Sequence, residues 1–511
     1  MGEVSNIKQK IILMAMLLLQ IGIILFYGTQ KTGFHMDEYA TYTLANGYCD
    51  IGLPVGYTDF QEYLHNALTI QENEVWDYKM VWKNQAADVH PPLYYAGIHA
   101  ISSMFIGSDS KWIGISDNLL FFVINILLLY KLSKRLFRGF YPAFAVCFLY
   151  GLSAGAISNV MFIRMYEMFV CAVLLVLNWH VKYFDRKKIP WYAYIAVTVM
   201  TVLGILTHYY FLIFLCFLSI IYMLYQLFRH EIKNGIKYVI CMGVSGMISY
   251  MIFPSMKHHI FSGYRGREAF ANIKNGSDFW LRFKGAIKWC VDPLLGNVYL
   301  FLVILIMVAV IAIYMILKKK YRMSISASLP WIMVSVPMLA YVAIVSKIAP
   351  LTTDRYYYPV YTCFCIIIVG SIYFIFRQVK NKRLVNVLTY IAVIFFILSS
   401  HRTVGVQNLF KEAEAYGDIV APYEDEDCVY VYSQGSWTIW GNISTVRKFR
   451  YIDFIVYDEQ DKIYDLVKEK KDDFILMLPI EMDYEGATNS FNRNCDLLGT
   501  LPSHMIYSVT Q

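Results

Sequence analysis

Five short segments of this chain carry the residue types that acid–base and phosphate chemistry need. Asp37-Glu38 is an acidic pair in the run Gly33-Phe34-His35-Met36-Asp37-Glu38-Tyr39, just past the first long apolar stretch. Asp88 precedes His90-Pro91-Pro92-Leu93-Tyr94-Tyr95. Further on come Arg164-Met165-Tyr166-Glu167, then Thr207-His208-Tyr209-Tyr210, then Asp354-Arg355-Tyr356-Tyr357. A carboxylate can take the proton from an incoming hydroxyl, and arginines can fork onto phosphate oxygens. His208, with a carboxylate near it, could bond a phosphate or help to hold a divalent ion.

Each residue also has an ordinary reading. Asp37-Glu38 could cap a helix, and Pro91-Pro92 suits a helix's first turn. Arg164 could pair with Glu167 one turn away, and Arg355 could snorkel beside its tyrosines. His208 could be a plain interface histidine, and the tyrosine pairs an aromatic belt. His258, His259, Arg265 and Arg267 read as headgroup contacts.

The elements that must position these residues are built for lipid. Of 511 residues, 58% are hydrophobic and 16% charged, against roughly 25% charged in soluble domains. Apolar runs near the bilayer-crossing length of roughly 20 residues predict eleven spans. They lie at 11–28, 112–132, 141–158, 166–184, 191–207, 209–228, 237–256, 298–317, 329–348, 358–376 and 384–401. The first reads as an uncleaved span, because no small-x-small cleavage site follows it.

The net charge of +7 is spread over alternate connections. Basic residues cluster at Lys8 and Lys10, at 131–138, at 182–188, at 229–237, at Lys318, Lys319, Lys320 and Arg322, and at 377–383. The positive-inside rule then makes the N-terminus cytoplasmic and the C-terminus extracytoplasmic. Cations divided among separate membrane edges exclude nucleic-acid binding. Usage rich in Ile, Lys and Tyr fits a bacterial plasma membrane. Six cysteines fall in spans; Cys49, Cys290, Cys428 and Cys495 lie outside without metal-ligand spacing. Cys428 and Cys495 could pair across the C-terminal region, though no spacing requires it.

Three regions face outward: 29–111, 257–297 and 402–511. Residues 92–105 are too short to span and predict an interfacial helix, with a second helix over 59–83 and a basic amphipathic one over 278–289. The tail predicts a small α/β domain, with strands at Cys428–Tyr432, Asp453–Tyr457 and Asp473–Leu478 and a helix at Asp461–Lys470. All five chemical segments would meet the outer face. The division expected is a transmembrane domain over 1–401 and an extracytoplasmic domain over 402–511.

At these motifs, across about residues 8–400, the chain resembles the GT-C superfamily of polyprenol-dependent glycosyltransferases. It is most similar to the branch of protein O-mannosyltransferases and lipid A aminoarabinose transferases. The resemblance implies a polytopic α-helical fold and an inverting sugar transfer from a polyprenyl-phosphate donor to an acceptor hydroxyl. It implies Asp37 as catalytic base with Glu38 beside it. Arg164, Arg355 and His208 would bind the donor phosphate, His208 being also the candidate metal position. Asp88, His90 and Tyr94 would belong to the substrate loop. Asp88 is offset from the family's acid before the Pro-Pro element. Rival readings are a flippase for lipid-linked sugars, which predicts polar breaks near mid-membrane, and an inactive GT-C-like subunit. Most spans have clean centres, with Asn125 and Asn178 the exceptions.

Overall fold

The computed structural model describes residues 6–47, 54–274, 278–318, 324–432, 438–456, 460–470, 472–482 and 493–511. Cys49, Lys319, Lys320, Arg322 and Tyr457 lie outside the described residues. The chain divides into two compact units. One comprises Met1–Gly28, Gln85–Tyr94 and Gly114–Gln407; the other comprises Thr29–Asn84, Tyr95–Ile113 and Asn408–Gln511.

The first unit is helical, with helices at all the expected span positions. Among the described residues, eight helices are long and apolar enough to cross a bilayer. These include Asn6–Gln30, Lys111–Phe137, Val298–Leu317 and Lys382–Thr403. A ninth span is the bent pair Phe140–Leu152 and Ala154–Met161, which meet at 52°. The bend falls at Ser153, whose side chain accepts from Ala156 N at 3.2 Å and starts the second helix. Trp191–Thr207 is shorter. Tyr166–Tyr183 carries Glu167, Asn178 and His180 and is packed by protein along nearly its whole length. The chain is a multi-pass membrane protein.

Glu167 explains how that polar helix is tolerated. Its two carboxylate oxygens accept from Asn125 Nδ2 at 2.7 Å and Asn159 Nδ2 at 2.8 Å, and the Tyr150 hydroxyl approaches at 3.4 Å. A buried carboxylate satisfied in this way ties its own helix to three others. Its oxygens serve these groups, so the Arg164–Glu167 bridge weighed above is not formed.

The second unit is built on a six-stranded sheet of order β1-β3-β2-β4-β6-β5. The strands are β1 (Gly56–Asp59), β2 (Asp427–Tyr432), β3 (Tyr451–Val456), β4 (Phe474–Pro479), β5 (Asn494–Thr500) and β6 (His504–Thr510). β2 pairs in parallel with β3 and β4, while β1, β6 and β5 add antiparallel edges. The helix Gln460–Glu469 crosses from β3 to β4 and buries Ile463 and Val467 against Val429, Val431, Phe474, Leu476 and Leu478. Central strands buried on both faces read as unbroken apolar runs, and Phe474-Ile475-Leu476-Met477-Leu478 does.

Three expectations change. Apart from Gln85–Tyr94, the first outer loop groups with the tail, and it supplies β1, through Gly56↔Phe454 to Asp59↔Tyr451. Residues 59–83 form no single helix: Phe60–Leu68 ends at Thr69, a short 3₁₀ turn Glu72–Glu74 follows, and Tyr78–Ala87 begins after Trp76 at φ +61°. The Gln71–Glu74 capping box restarts the chain there. Cys428 on β2 and Cys495 on β5 are free thiols with β4 and β6 between them. Three strand spacings of about 4.8 Å exceed the roughly 7 Å a disulfide can bridge.

Candidate active site

Helix Met36–Asn46 places the acidic pair. It starts at His35, whose backbone is extended and whose Nδ1 accepts from Asp37 N at 3.1 Å. Glu38 reaches back to His35 N at 2.6 Å, completing a capping box. The same Glu38 oxygen takes Lys31 Nζ at 3.0 Å, with both side chains wholly buried. Lys31 also donates to the Asn408 carbonyl at 2.8 Å and lies over the Phe410 ring, 4.7 Å from its centroid. Burial lowers the Lys31 amine's pKa, and Glu38 only partly offsets that.

The two acids therefore sit in different settings. Glu38 is enclosed, capped and ion-paired. Asp37 keeps a side chain 30% exposed, with Oδ2 3.6 Å from His35 Nδ1. Because that nitrogen accepts from the Asp37 amide, it has no proton to give the carboxylate. Lys31 and His35 were not singled out in the sequence. Their signal is spacing: His35-x-x-Glu38 follows the capping-box pattern with histidine in place of serine or threonine.

The first unit gathers a second group. Asp88 Oδ2 meets His90 Nδ1 at 2.8 Å and accepts His90 N at 3.3 Å. Burial opposes ionisation of Asp88, but the His90 ring, with help from Arg164, outweighs it and holds the carboxyl down to about 2. His90 then presents Nε2 toward Arg164, 3.5 Å from Nη2. Arg164 is buried in the turn between Ala154–Met161 and Tyr166–Tyr183.

His208 completes this cluster at the break between Trp191–Thr207 and Phe211–Phe228. Its ring stacks on Phe169 at 5.2 Å and stands 6.2 Å from His90. Burial, then the nearby His90 and Arg164, keep it well below the usual histidine range. The ring is neutral, and since Nδ1 accepts from Tyr210 N at 3.1 Å, the hydrogen-bond pattern assigns its proton to Nε2. His208 is thus a neutral donor beside a guanidinium.

Arg355 lies in the 3₁₀ turn Asp354–Val360, over the Tyr356 ring. Tyr358 Oη donates to Asp354 at 2.6 Å, and Tyr341 Oη donates to the Tyr356 carbonyl at 2.8 Å. The turn touches the His208 cluster through aromatic pairs, Tyr166–Tyr358 at 5.9 Å and Tyr210–Tyr356 at 6.1 Å. His90, Arg164, His208 and the Arg355 turn are thus neighbours.

Two expected roles shift. Tyr94 is fully buried, with its hydroxyl 3.4 Å from Asn118 Oδ1, where it anchors helix Leu93–Ser102. His259 is buried and bonds the Tyr209 hydroxyl at 2.9 Å and the Ala86 carbonyl at 3.3 Å. It braces the 86–90 loop against the 208–210 turn instead of meeting headgroups. The surroundings of His208 do not suit a divalent ion. An arginine and three aromatic rings flank it, and no group of three His, Cys, Asp or Glu side chains able to hold a metal occurs among the described residues.

No family model matches the sequence, and neither does any curated protein. Solved structures match in fold. The crystal structure of ArnT from Cupriavidus metallidurans bound to undecaprenyl phosphate aligns over 96% of this chain and 97% of that one, at 11% identity and a TM-score of 0.51. The same protein in the apo state aligns over the same shares, with 11% identity and a TM-score of 0.54. The fold is GT-C-like. Coverage of 96% means that this likeness includes the tail, beyond the residues 8–400 that carry the motifs.

Proposed function

We propose that this chain transfers one sugar from a polyprenyl-phosphate donor to an acceptor hydroxyl on the extracytoplasmic side of a bacterial plasma membrane. The observation that carries the reading is the GT-C-like fold shared, nearly end to end, with a protein bound to undecaprenyl phosphate. A fold alone does not confer an activity, so the residues must supply the chemistry. Asp37 takes the proton of the acceptor hydroxyl. The hydroxyl oxygen attacks the anomeric carbon opposite the phosphate, the carbon–oxygen bond to phosphate breaks, and the configuration inverts. Polyprenyl phosphate leaves with the bonding electron pair.

Arg164 and Arg355 balance the charge that builds on the leaving phosphate, and His208 donates from Nε2. Asp88 and His90 hold Arg164 in place. Glu38 positions the start of helix Met36–Asn46 and, through it, Asp37. No step is assigned to a metal, because the donor set about His208 does not suit one.

The test is sugar release from a panel of labelled polyprenyl-phosphate sugars by purified protein in lipid, with and without chelator. Asp37→Asn should lower turnover by about 10²–10⁴-fold while the protein stays folded. Unchanged turnover in Asp37→Asn would remove Asp37 as the base. Tight donor binding by wild type with no turnover would mean a flippase or an inactive subunit.

A further inference from the structure

The second unit contains a cavity of about 540 Å³ that the proposed chemistry does not use. Its volume falls within the roughly 300–1,000 Å³ of small-molecule sites. Its walls come from the 31–34 linker, from Tyr39, from Asp109 and Lys111, from helix Glu412–Val420, and from the 444–448 segment. Close approach makes these walls. A Cβ on Gly33 would stand 2.4 Å from Ala413 Cβ, so only glycine lets the linker lie on that helix. At Gly417 an added Cβ would meet Lys448 Cε at 3.4 Å.

The charges around the cavity divide by side. Glu414 and Asp418 stand one turn apart on helix Glu412–Val420, both exposed, and neither side chain has a hydrogen bond or ion pair among the described residues. Lys448 faces the same space, and its side chain is likewise without one among the described residues. Arg447 bonds the Tyr39 hydroxyl and makes a long pair to Asp109, at 3.5 Å between half-exposed groups. The other two cations are committed: Lys31 to Glu38, and Lys111 to the carbonyls of Thr29 and Lys31. Two open carboxylates thus oppose an open ammonium and a half-exposed guanidinium shared between Tyr39 and Asp109.

A bare anion here would face the carboxylates, and a bare cation would face Arg447 and Lys448. A group carrying both signs satisfies both walls. We propose that this cavity binds a zwitterionic phosphate–amine group of phosphoethanolamine type, with the amine on Glu414 and Asp418 and the phosphate on Arg447 and Lys448. Tyr39 lines the cavity and Asp37 does not. Two residues turn an α-helix by about 200°, so the ligand lies on another side of the helix from the proposed base. The site is one of recognition, separate from the transfer reaction.

Calorimetric titration of the full chain in nanodiscs free of phosphatidylethanolamine tests this. Glycerophosphoethanolamine should bind saturably, and glycerol 3-phosphate or ethanolamine alone about tenfold more weakly or worse. Glu414→Gln with Asp418→Asn should bring glycerophosphoethanolamine down to the level of glycerol 3-phosphate. Lys448→Gln should weaken both phosphates. All three positions are exposed, so thermal unfolding of the variants should match wild type. Phosphatidylethanolamine in the nanodisc identifies the source: competition with the soluble probe marks a lipid headgroup, and no competition marks a free or glycan-borne group. Absence of saturable binding, equal binding of glycerol 3-phosphate, or unchanged affinity in both variants would overturn the proposal.

Discussion

Replacing Lys31 with methionine should open the start of helix Met36–Asn46 while leaving the rest of the chain intact. Lys31 Nζ and Glu38 Oε2 stand 3.0 Å apart with no exposure on either side. Removing one partner of such a pair leaves an uncompensated buried charge, at a cost of about 3–5 kcal/mol. Here the stranded group is Glu38, which keeps the His35 amide but loses its ammonium, and the Asn408 carbonyl loses the Lys31 bond as well. Since 1.4 kcal/mol is a factor of ten, amides of residues 38–46 should exchange roughly 10²–10³-fold faster. Glu38→Gln in the Lys31→Met background removes the charge but keeps an acceptor for His35 N. The double variant should recover most of the protection, ending within about 1–2 kcal/mol of wild type. Hydrogen exchange by mass spectrometry on the three variants reads this directly. A single variant less than tenfold faster than wild type, or a double variant as open as the single, would refute the reasoning.

Other consequences follow from the same geometry. Asp88 is held at about 2 against an ordinary 3.8. Its stabilising contribution, about 2 kcal/mol, is therefore complete above pH 4 and lost as pH falls toward 2. Acid unfolding of wild type should show that loss, and Asp88→Asn should flatten it. Arg164→Gln should raise the donor KM at least tenfold, and Arg164→Lys should restore only part of it, since lysine lacks the fork; equal KM values would remove Arg164 from phosphate binding. Glu167→Ala should destabilise by about 3–5 kcal/mol by stranding Asn159 and one of the Asn125 N–H groups, with Glu167→Gln far milder in thermal unfolding. Turnover should persist in EDTA; its loss would restore the metal.

The fold was legible where hydrophobic length speaks alone. Val298–Leu317, 20 residues with no charge among them, could be little but a span. Tyr166–Tyr183 lies at its expected place, but Glu167 falls inside it, satisfied by partners from other helices that no local pattern encodes. The tail's strands β2, β3 and β4 were visible because burial makes them largely apolar runs; β6, equally central but broken by Ser508 and Thr510, was not. β5 was not, since its exposed edge reads as polar, and β1 was not, since four residues of Gly-Tyr-Thr-Asp carry no period. The pairing of β1 with β3 spans nearly four hundred residues of sequence, a distance over which composition says nothing.

The acidic pair shows the same limit at the scale of one helical turn. Asp37 and Glu38 are adjacent in sequence, yet about 100° apart around their helix, enough to send one into the protein and leave the other partly exposed. What separates them chemically is what has already been bonded. Glu38 has an ammonium and an amide on its carboxylate, so taking up a proton would break a buried ion pair; it is a poor base whatever its position. Asp37 faces an imidazole nitrogen that accepts from the Asp37 amide, so that nitrogen gives its carboxylate no proton. The pair could be read from sequence as chemistry, but its division into a base and a support depends on Lys31 and His35. Those two residues matter only once the helix start has folded back on them.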